Sequence, residues 1–266
     1  MRTLLRRAAA LLGLLPPALY AWPGMDVNLS DHRRLHMVGS IHMGTRNMSP
    51  LPARLLSLLR QATALVVEAD ITVGSPLASV PPVDTPLIDR LSCDHYRIFS
   101  GLCAEYQLDE QALSALPAWQ VALMLQARQA ERLGLRAAYG IDYQLIQAAR
   151  EMDKPVIELE GPEEQLDLLL QLPDQGKALL EDTLRHWHTN ARLLQTMIGW
   201  WLDNGPVNLD KSFPATFSAD LYHYLMTERN LRWKGLLEDL PAGGYIVAVG
   251  ALHLYGAESL PSLLRR

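Results

Sequence analysis

Two four-residue phrases, Gly39-Ser40-Ile41-His42 and Gly250-Ala251-Leu252-His253, carry the residue types best suited to chemistry in this sequence. Each reads Gly-x-x-His after an apolar run, and they stand near opposite ends of the 266-residue chain. Imidazole is the commonest side-chain ligand of transition metals. A glycine upstream lets the backbone turn sharply and brings the ring close to a ligand. Two strand-end histidines therefore point to half of a metal site assembled from both ends of the chain.

Two acids hold comparable positions. Glu68 follows Leu65-Val66-Val67, and Glu160 closes Pro155-Val156-Ile157-Glu158-Leu159. Burying a carboxylate costs several kcal/mol unless it is paired or ligated. A single acid at a strand exit reads equally well as solvated, but His42, Glu68, Glu160 and His253 together do not. In open α/β sheets, sites gather beyond the carboxyl ends of strands. Two imidazoles with one or two carboxylates suit zinc, manganese, iron or cobalt. Such an ion polarises a carbonyl and lowers the pKa of water. A remaining carboxylate would then be available as general base. Arg229, beside Asn230 before the last strand, reads either as an exposed polar turn or as a clamp for a carboxylate or other anion.

The elements that must position these residues are legible in outline. Strands are expected over 20–29, 35–41, 64–67, 155–159 and 245–249, with Gly243-Gly244 leading into the last. The spacing of Leu51, Leu55, Leu58 and Leu59 predicts a helix after Pro50 and Pro52. The chain from 87 to 152 reads as mainly helical, with Asp142 placed to cap a helix over 141–149. A long helical region is expected from about 163 to 203, broken at Pro173, and another over 216–240. The Pro-rich stretch 76–86 is the clearest loop, and reads as a lid or boundary. The fold class is therefore α/β: a mixed sheet built from strands of both chain ends, with a large helical insertion at about 87–152 and 163–240. Residues 20–266 are expected to form one domain. Residues 1–19 read as an N-terminal helix or a signal-like segment, interrupted by Pro16 and Pro17.

Composition bounds the rest. The chain is 49% hydrophobic and 20% charged, enough apolar material for a sizeable core. A formal charge of -5 argues against general nucleic-acid binding. Cys93 and Cys103 are the two cysteines, too few for a cysteine zinc frame, and the helical context around them argues against a bridge. No segment has the length of a transmembrane helix, so the cytoplasm is favoured and the periplasm is the alternative. His186 and His188 flank Trp187 on different sides of a helix, and His95 and His223 read as ordinary surface or core histidines. There is no His-Glu-x-x-His, Gly-x-Ser-x-Gly, Gly-x-x-x-x-Gly-Lys or Gly-x-Gly-x-x-Gly.

The phrases HMVGSIHMG, ALVVEAD, GIDYQLIQAA, PVIELEG and YIVAVGALHLYG, in this order, resemble the TraB/PrgY/GumN family, above all its small bacterial members. The match runs from about Trp22 to Leu264. The resemblance implies kinship with the Tiki metalloproteases and a more distant relation to erythromycin esterases and ChaN-like proteins. It implies a divalent metal such as manganese, cobalt or zinc. His42 and His253 stand at the family's histidine positions, Glu68 and Glu160 at its acids, and Arg229-Asn230 at its Arg-Asn pair. Ser40 stands where the family usually has Thr, which keeps a hydroxyl. The implied function is metal-dependent hydrolysis of an amide or ester bond, in a peptide or small-molecule substrate. His42, His253, Glu68 and Glu160 would be ligands, with Glu68, Glu160 and Arg229 in catalysis. The alternative is a non-catalytic protein of the same fold binding haem, a metal or a small ligand, with Met37 and Met43 near His42 as conceivable haem contacts.

Overall fold

The computed structural model describes residues 20–73, 80–203, 215–256 and 258–265. The N-terminal segment 1–19 and part of the Pro-rich stretch lie outside the described residues. Five strands form one mixed sheet in the order β1-β2-β5-β3-β4. They are β1 Gly24–Asn28, β2 Arg33–Ser40, β3 Ala64–Val67, β4 Val156–Glu158 and β5 Gly243–Gly250. β1 runs antiparallel to β2, and the remaining neighbours are parallel. The sheet thus joins both ends of the chain at its centre, where β2 lies against β5.

The helices are α1 Ala53–Gln61, α2 Leu87–Arg90, α3 Cys93–Tyr106, α4 Glu110–Ser114, α5 Ala118–Arg132, α6 Ile141–Glu151, α7 Pro162–Leu170, α8 Lys177–Arg185, α9 Trp187–Leu202, α10 Ala219–Tyr222, α11 Glu228–Glu238 and α12 Leu260–Leu264. Side chains alternate across a strand, so each strand feeds two cores. Val38, Leu65, Val67, Ile246 and Ala248 pack with Leu55 and Leu59 of α1 and Leu145 and Ile146 of α6. Leu35, Met37, Val66, Val247 and Val249 pack with Trp233 and Leu237 of α11 and Leu260 of α12. A third core joins the helices of the insertion through Phe99, Trp119, Leu125, Leu180 and Leu184.

The long helical region expected over 163–203 is three helices. Pro173–Gly176 forms a tight turn in which Asp174 and Gln175 take left-handed backbone angles, φ 49° and 58°. That turn redirects the chain between α7 and α8, which a proline kink alone would not do. The first strand is shorter than 20–29, because Tyr20 and Trp22 leave the sheet and enter the core beside Val38 and Leu65. Cys93 is exposed, Cys103 is buried and both are free. Among the described residues, no helix is long and apolar enough to cross a membrane.

Candidate functional site

Register decides where the two histidine phrases go. Gly39 pairs with Val249 and Ser40 with Gly250, so both phrases leave the sheet side by side. The acids follow the same rule. Beyond the ends of β3 and β4 the ladder continues, with Leu159 N–H donating to Val67 O at 2.8 Å and Glu160 N–H to Glu68 O at 2.8 Å. This sets Glu160 next to Glu68. All four residues therefore stand at the carboxyl ends of adjacent parallel strands.

Each histidine is turned by a partner at Nδ1. His253 is buried, and its Nδ1 lies 2.7 Å from Asn230 Oδ1. An amide oxygen only accepts, so Nδ1 carries the proton and Nε2 keeps its lone pair. Asn230 is held in turn by its own Nδ2, which donates to the Glu258 carbonyl at 2.9 Å. Burial pushes the His253 imidazole down to about 4, against the pull of Glu68, so the ring is neutral near pH 7. His42 is the more exposed of the pair, and its Nδ1 is hydrogen-bonded to Oδ2 of the buried Asp142. That carboxylate raises the His42 imidazole to about 9. The ring of Trp233 lies 4.5 Å from that of His253 and walls it on one side.

Arg229 ties the acids together. Its Nη2 donates to Glu68 Oε2 at 2.6 Å and to Glu160 Oε2 at 3.0 Å, and its Nε to Glu160 Oε1 at 2.9 Å. Its Nη1 faces His253 Nε2 at 3.4 Å. The guanidinium lies over the Trp233 ring at 4.5 Å, a cation–π contact made by residues one helical turn apart. Glu160 also accepts from Arg232 Nη2 and from Trp233 Nε1 at 3.1 Å. Burial works against ionisation of Glu68. His253, Arg229, His42 and the Gly250 amide, 2.5 Å from Oε1, outweigh it and hold the carboxyl at about 2. A Cβ on Gly250 would lie 3.2 Å from that same oxygen, so this position suits a residue without a side chain.

These groups open on a cavity of about 740 Å³ whose described lining includes Ser40, His42, Glu68, Arg229, Gly250 and His253. The two histidines therefore converge on one space. Glu160 stands behind Arg229, outside that lining, and its geometry is that of a residue holding the guanidinium. Met43 lines the cavity, whereas Met37 is buried in the core on the Trp233 face of the sheet. His95, His186, His188 and His223 do not line it. Among the described residues, no three His, Cys, Asp or Glu side chains are already grouped closely enough to hold one ion.

Three contributors are easy to miss in the sequence. Asp142 reads as a helix cap, but α6 begins at Ile141 with Gly140 in the cap position, and the Asp142 carboxylate turns to His42. Asn230 reads as a neighbour of Arg229 and proves to fix the tautomer of His253. Trp233 reads as core and also donates to Glu160. The spacing Arg229-Asn230-x-x-Trp233 carries a signal for the last two, since positions three and four apart share a helix face. A five-residue π-helical stretch, His223–Thr227, directly precedes α11, which carries Arg229 and Asn230; such stretches are frequent at functional sites.

Comparison with known proteins places the chain among its relatives. The chain is 52% identical over 263 residues to the uncharacterized protein YbaP of Escherichia coli (strain K12), covering 98% of this chain and 99% of that one. It is equally similar, at 52% over 263 residues, to the uncharacterized protein YbaP of Shigella flexneri. No solved structure matches the chain. The model of the TraB/PrgY/gumN family matches residues 26–266, which contain every site residue named above. The chain belongs to the TraB/PrgY/gumN family.

Proposed function

We propose that the cavity is the active site of a metal-dependent hydrolase that cleaves an amide or ester bond, in the manner of a metallopeptidase. One observation carries this reading. Both imidazoles hold Nδ1 against a fixed partner, Asp142 or Asn230, which leaves Nε2 as the ligating nitrogen of two rings that line one cavity with Glu68; His42 would give up its Nε2 proton to an ion. Metal-ligating histidines are oriented in this way by a carboxylate or carbonyl behind the ring.

The donor chemistry fits manganese, cobalt or zinc: His42, His253 and Glu68 would hold the ion. His42, with its exposed side chain held by Asp142, is the member on the open side of the set. Arg229 can leave Glu68 and keep its place, because Glu160 holds it through Nε and Nη2. A bound divalent ion supplies Lewis acidity and lowers the pKa of a water. The protein's own contribution is positioning. Arg229 lines the cavity with Nη1 at Leu225 O and His253 Nε2; once Glu68 and His253 turn to an ion, the donors they hold are available to a substrate carbonyl or carboxylate oxygen. Asn230 and Asp142 keep the rings from rotating.

The test is metal content and hydrolysis measured together. Protein equilibrated with manganese, cobalt or zinc is expected to retain about one ion per chain and to cleave members of an ester and peptide library. His42→Ala and His253→Ala are expected to lose the ion and at least a hundredfold in rate. No metal uptake, or equal cleavage by the variants, would sink the reading.

A further inference from the structure

The cavity is divided by polarity. Its described ionisable lining residues are His42, Glu68, Asp70, Arg229 and His253: four follow strand ends, and Arg229 reaches the same pole from α11. Asp70 is neutralised by Arg150, whose Nη2 lies 2.5 Å from its Oδ2. The wall supplied by the helical insertion is built from Leu123, Leu166, Leu169, Leu194, Met197 and Phe217. Its described polar members are Gln126 and Gln165, each holding one amide hydrogen bond: Nε2 of Gln126 donates to Thr183 Oγ1 at 2.8 Å, and Nε2 of Gln165 to Glu160 Oε2 at 3.5 Å.

An occupant must match both poles. A peptide lying along the helical wall would bring an N–H and a C=O with every residue and find, among the described lining side chains there, two amides to meet them. Each such group left unsatisfied costs about 1–3 kcal/mol. A straight hydrocarbon chain brings none, and gains by leaving water. One polar head at Arg229 and one long apolar body is the chemistry the cavity recognises. We propose that it holds a single fatty-acyl chain, with the acyl carbonyl at Arg229 and the alkyl tail between α5, α7 and α9, so that the substrate is an acyl ester or acyl amide.

This rests on the hydrolase reading only for the bond that breaks. For an ester, the oxygen of water adds to the acyl carbon and the bond from that carbon to the alcohol oxygen breaks. The alcohol takes one proton of the water, and the fatty acid ionises and releases the other. Arg229 faces the oxygen on which negative charge grows.

The binding half can be read without any metal. Straight-chain saturated acids, from hexanoic to tetradecanoic, are titrated against 1-anilinonaphthalene-8-sulfonate bound to the EDTA-treated full chain. Affinity is expected to rise about fourfold per methylene until the cavity is full. Ala127→Phe on α5 and Leu166→Phe on α7 shorten the space, and should weaken dodecanoic acid at least tenfold while sparing hexanoic acid. If either variant fails to fold, a diazirine-bearing fatty acid photolabels the unaltered protein, and the label is expected on peptides from α5, α7 or α9. Affinity that ignores chain length, labels elsewhere, or an apolar peptide displacing the dye more tightly than every acid would overturn the proposal. Chain-length-dependent binding without cleavage of 4-nitrophenyl dodecanoate, with any of the three metals, would leave the acyl cavity standing and remove the hydrolase reading.

Discussion

Asn230 Oδ1 lies 2.7 Å from His253 Nδ1, and this contact decides which nitrogen of the ring faces the cavity. Without it the neutral ring could carry its proton on either nitrogen, and half of the donor pair would no longer be defined. Replacing Asn230 by Ala leaves a buried N–H without its acceptor. The expected cost is about 1–3 kcal/mol of stability, together with a 10- to 100-fold loss of metal affinity, the usual effect of removing such a partner. Urea unfolding and metal titration check the two losses separately. An unchanged affinity would remove Asn230 from the site.

Glu160→Gln tests the residue behind Arg229. Gln keeps the shape of Glu but offers Arg229 and Arg232 no charge, in a position whose side chain is 1% exposed. Breaking a buried pair from one side typically costs about 3–5 kcal/mol. Glu68 still faces Arg229, so the lower end of that range is expected in denaturant titrations. Metal stoichiometry should stay unchanged, because Glu160 does not line the cavity; a lost ion would show that it is a ligand after all.

Gly140→Ala probes the scaffold of His42. A Cβ at this position would lie 2.3 Å from the His42 carbonyl oxygen, closer than any real contact, so the backbone must shift. The neighbouring bond from Ile141 N–H to Ile41 O, 2.9 Å long, shifts with it. The substituted protein should fold with reduced stability and lose at least tenfold in metal affinity or hydrolysis. The His42 ring signal in NMR should move while that of His253 stays. Signals that stay put in both rings would mean the loop absorbs the methyl group without moving the site.

At the other end of the sheet, Asp26 supplies a pH-dependent term independent of the site. Its carboxylate meets His36 Nδ1 at 2.8 Å and accepts from the Tyr20 hydroxyl at 2.5 Å. The hydrogen bond from His36 holds the carboxyl below its ordinary value, with Tyr20 and Arg54 in support and burial opposing. A depressed carboxyl contributes stability above its unfolded pKa, and that contribution is lost as pH falls through the folded value. The unfolded value is about 3.9. Asp26→Asn should therefore be less stable than the native chain at neutral pH, and the difference should shrink below about pH 4. The gap should stay under about 1 kcal/mol, because the side chain is half exposed and screened by water. Thermal melts of both proteins from pH 3 to 7 check it, and a constant difference across that range would exclude the linkage.

The sheet and the strand-end residues were legible because their signals are local. Apolar runs of strand length end in Gly-x-x-His or in an acid, and the structure sets these ends side by side. The tight turn at Pro173–Gly176 was legible only as a break, because nothing in Asp174-Gln175 announces two consecutive left-handed residues. Asp142 misled because an acid at a helix start satisfies the capping rule whether or not it faces a histidine one hundred residues away in the chain. What makes Asp142, Asn230 and Trp233 part of the site is the way α6 and α11 cross the sheet. That is a property of packing between distant segments, and no window of sequence contains it.

The pairing of β2 with β5 has a consequence for the life of the chain on the ribosome. His42 emerges early, yet its strand finds its central neighbour only when Gly243–Gly250 has been made. The Gly250 amide that meets Glu68 and the imidazole of His253 arrive in the same final stretch. Joining segments so remote in sequence is a late and slow event in folding. A nascent chain thus carries no assembled site while most of it is being synthesised. The cavity and its donors come into being together, when the last strand closes the sheet.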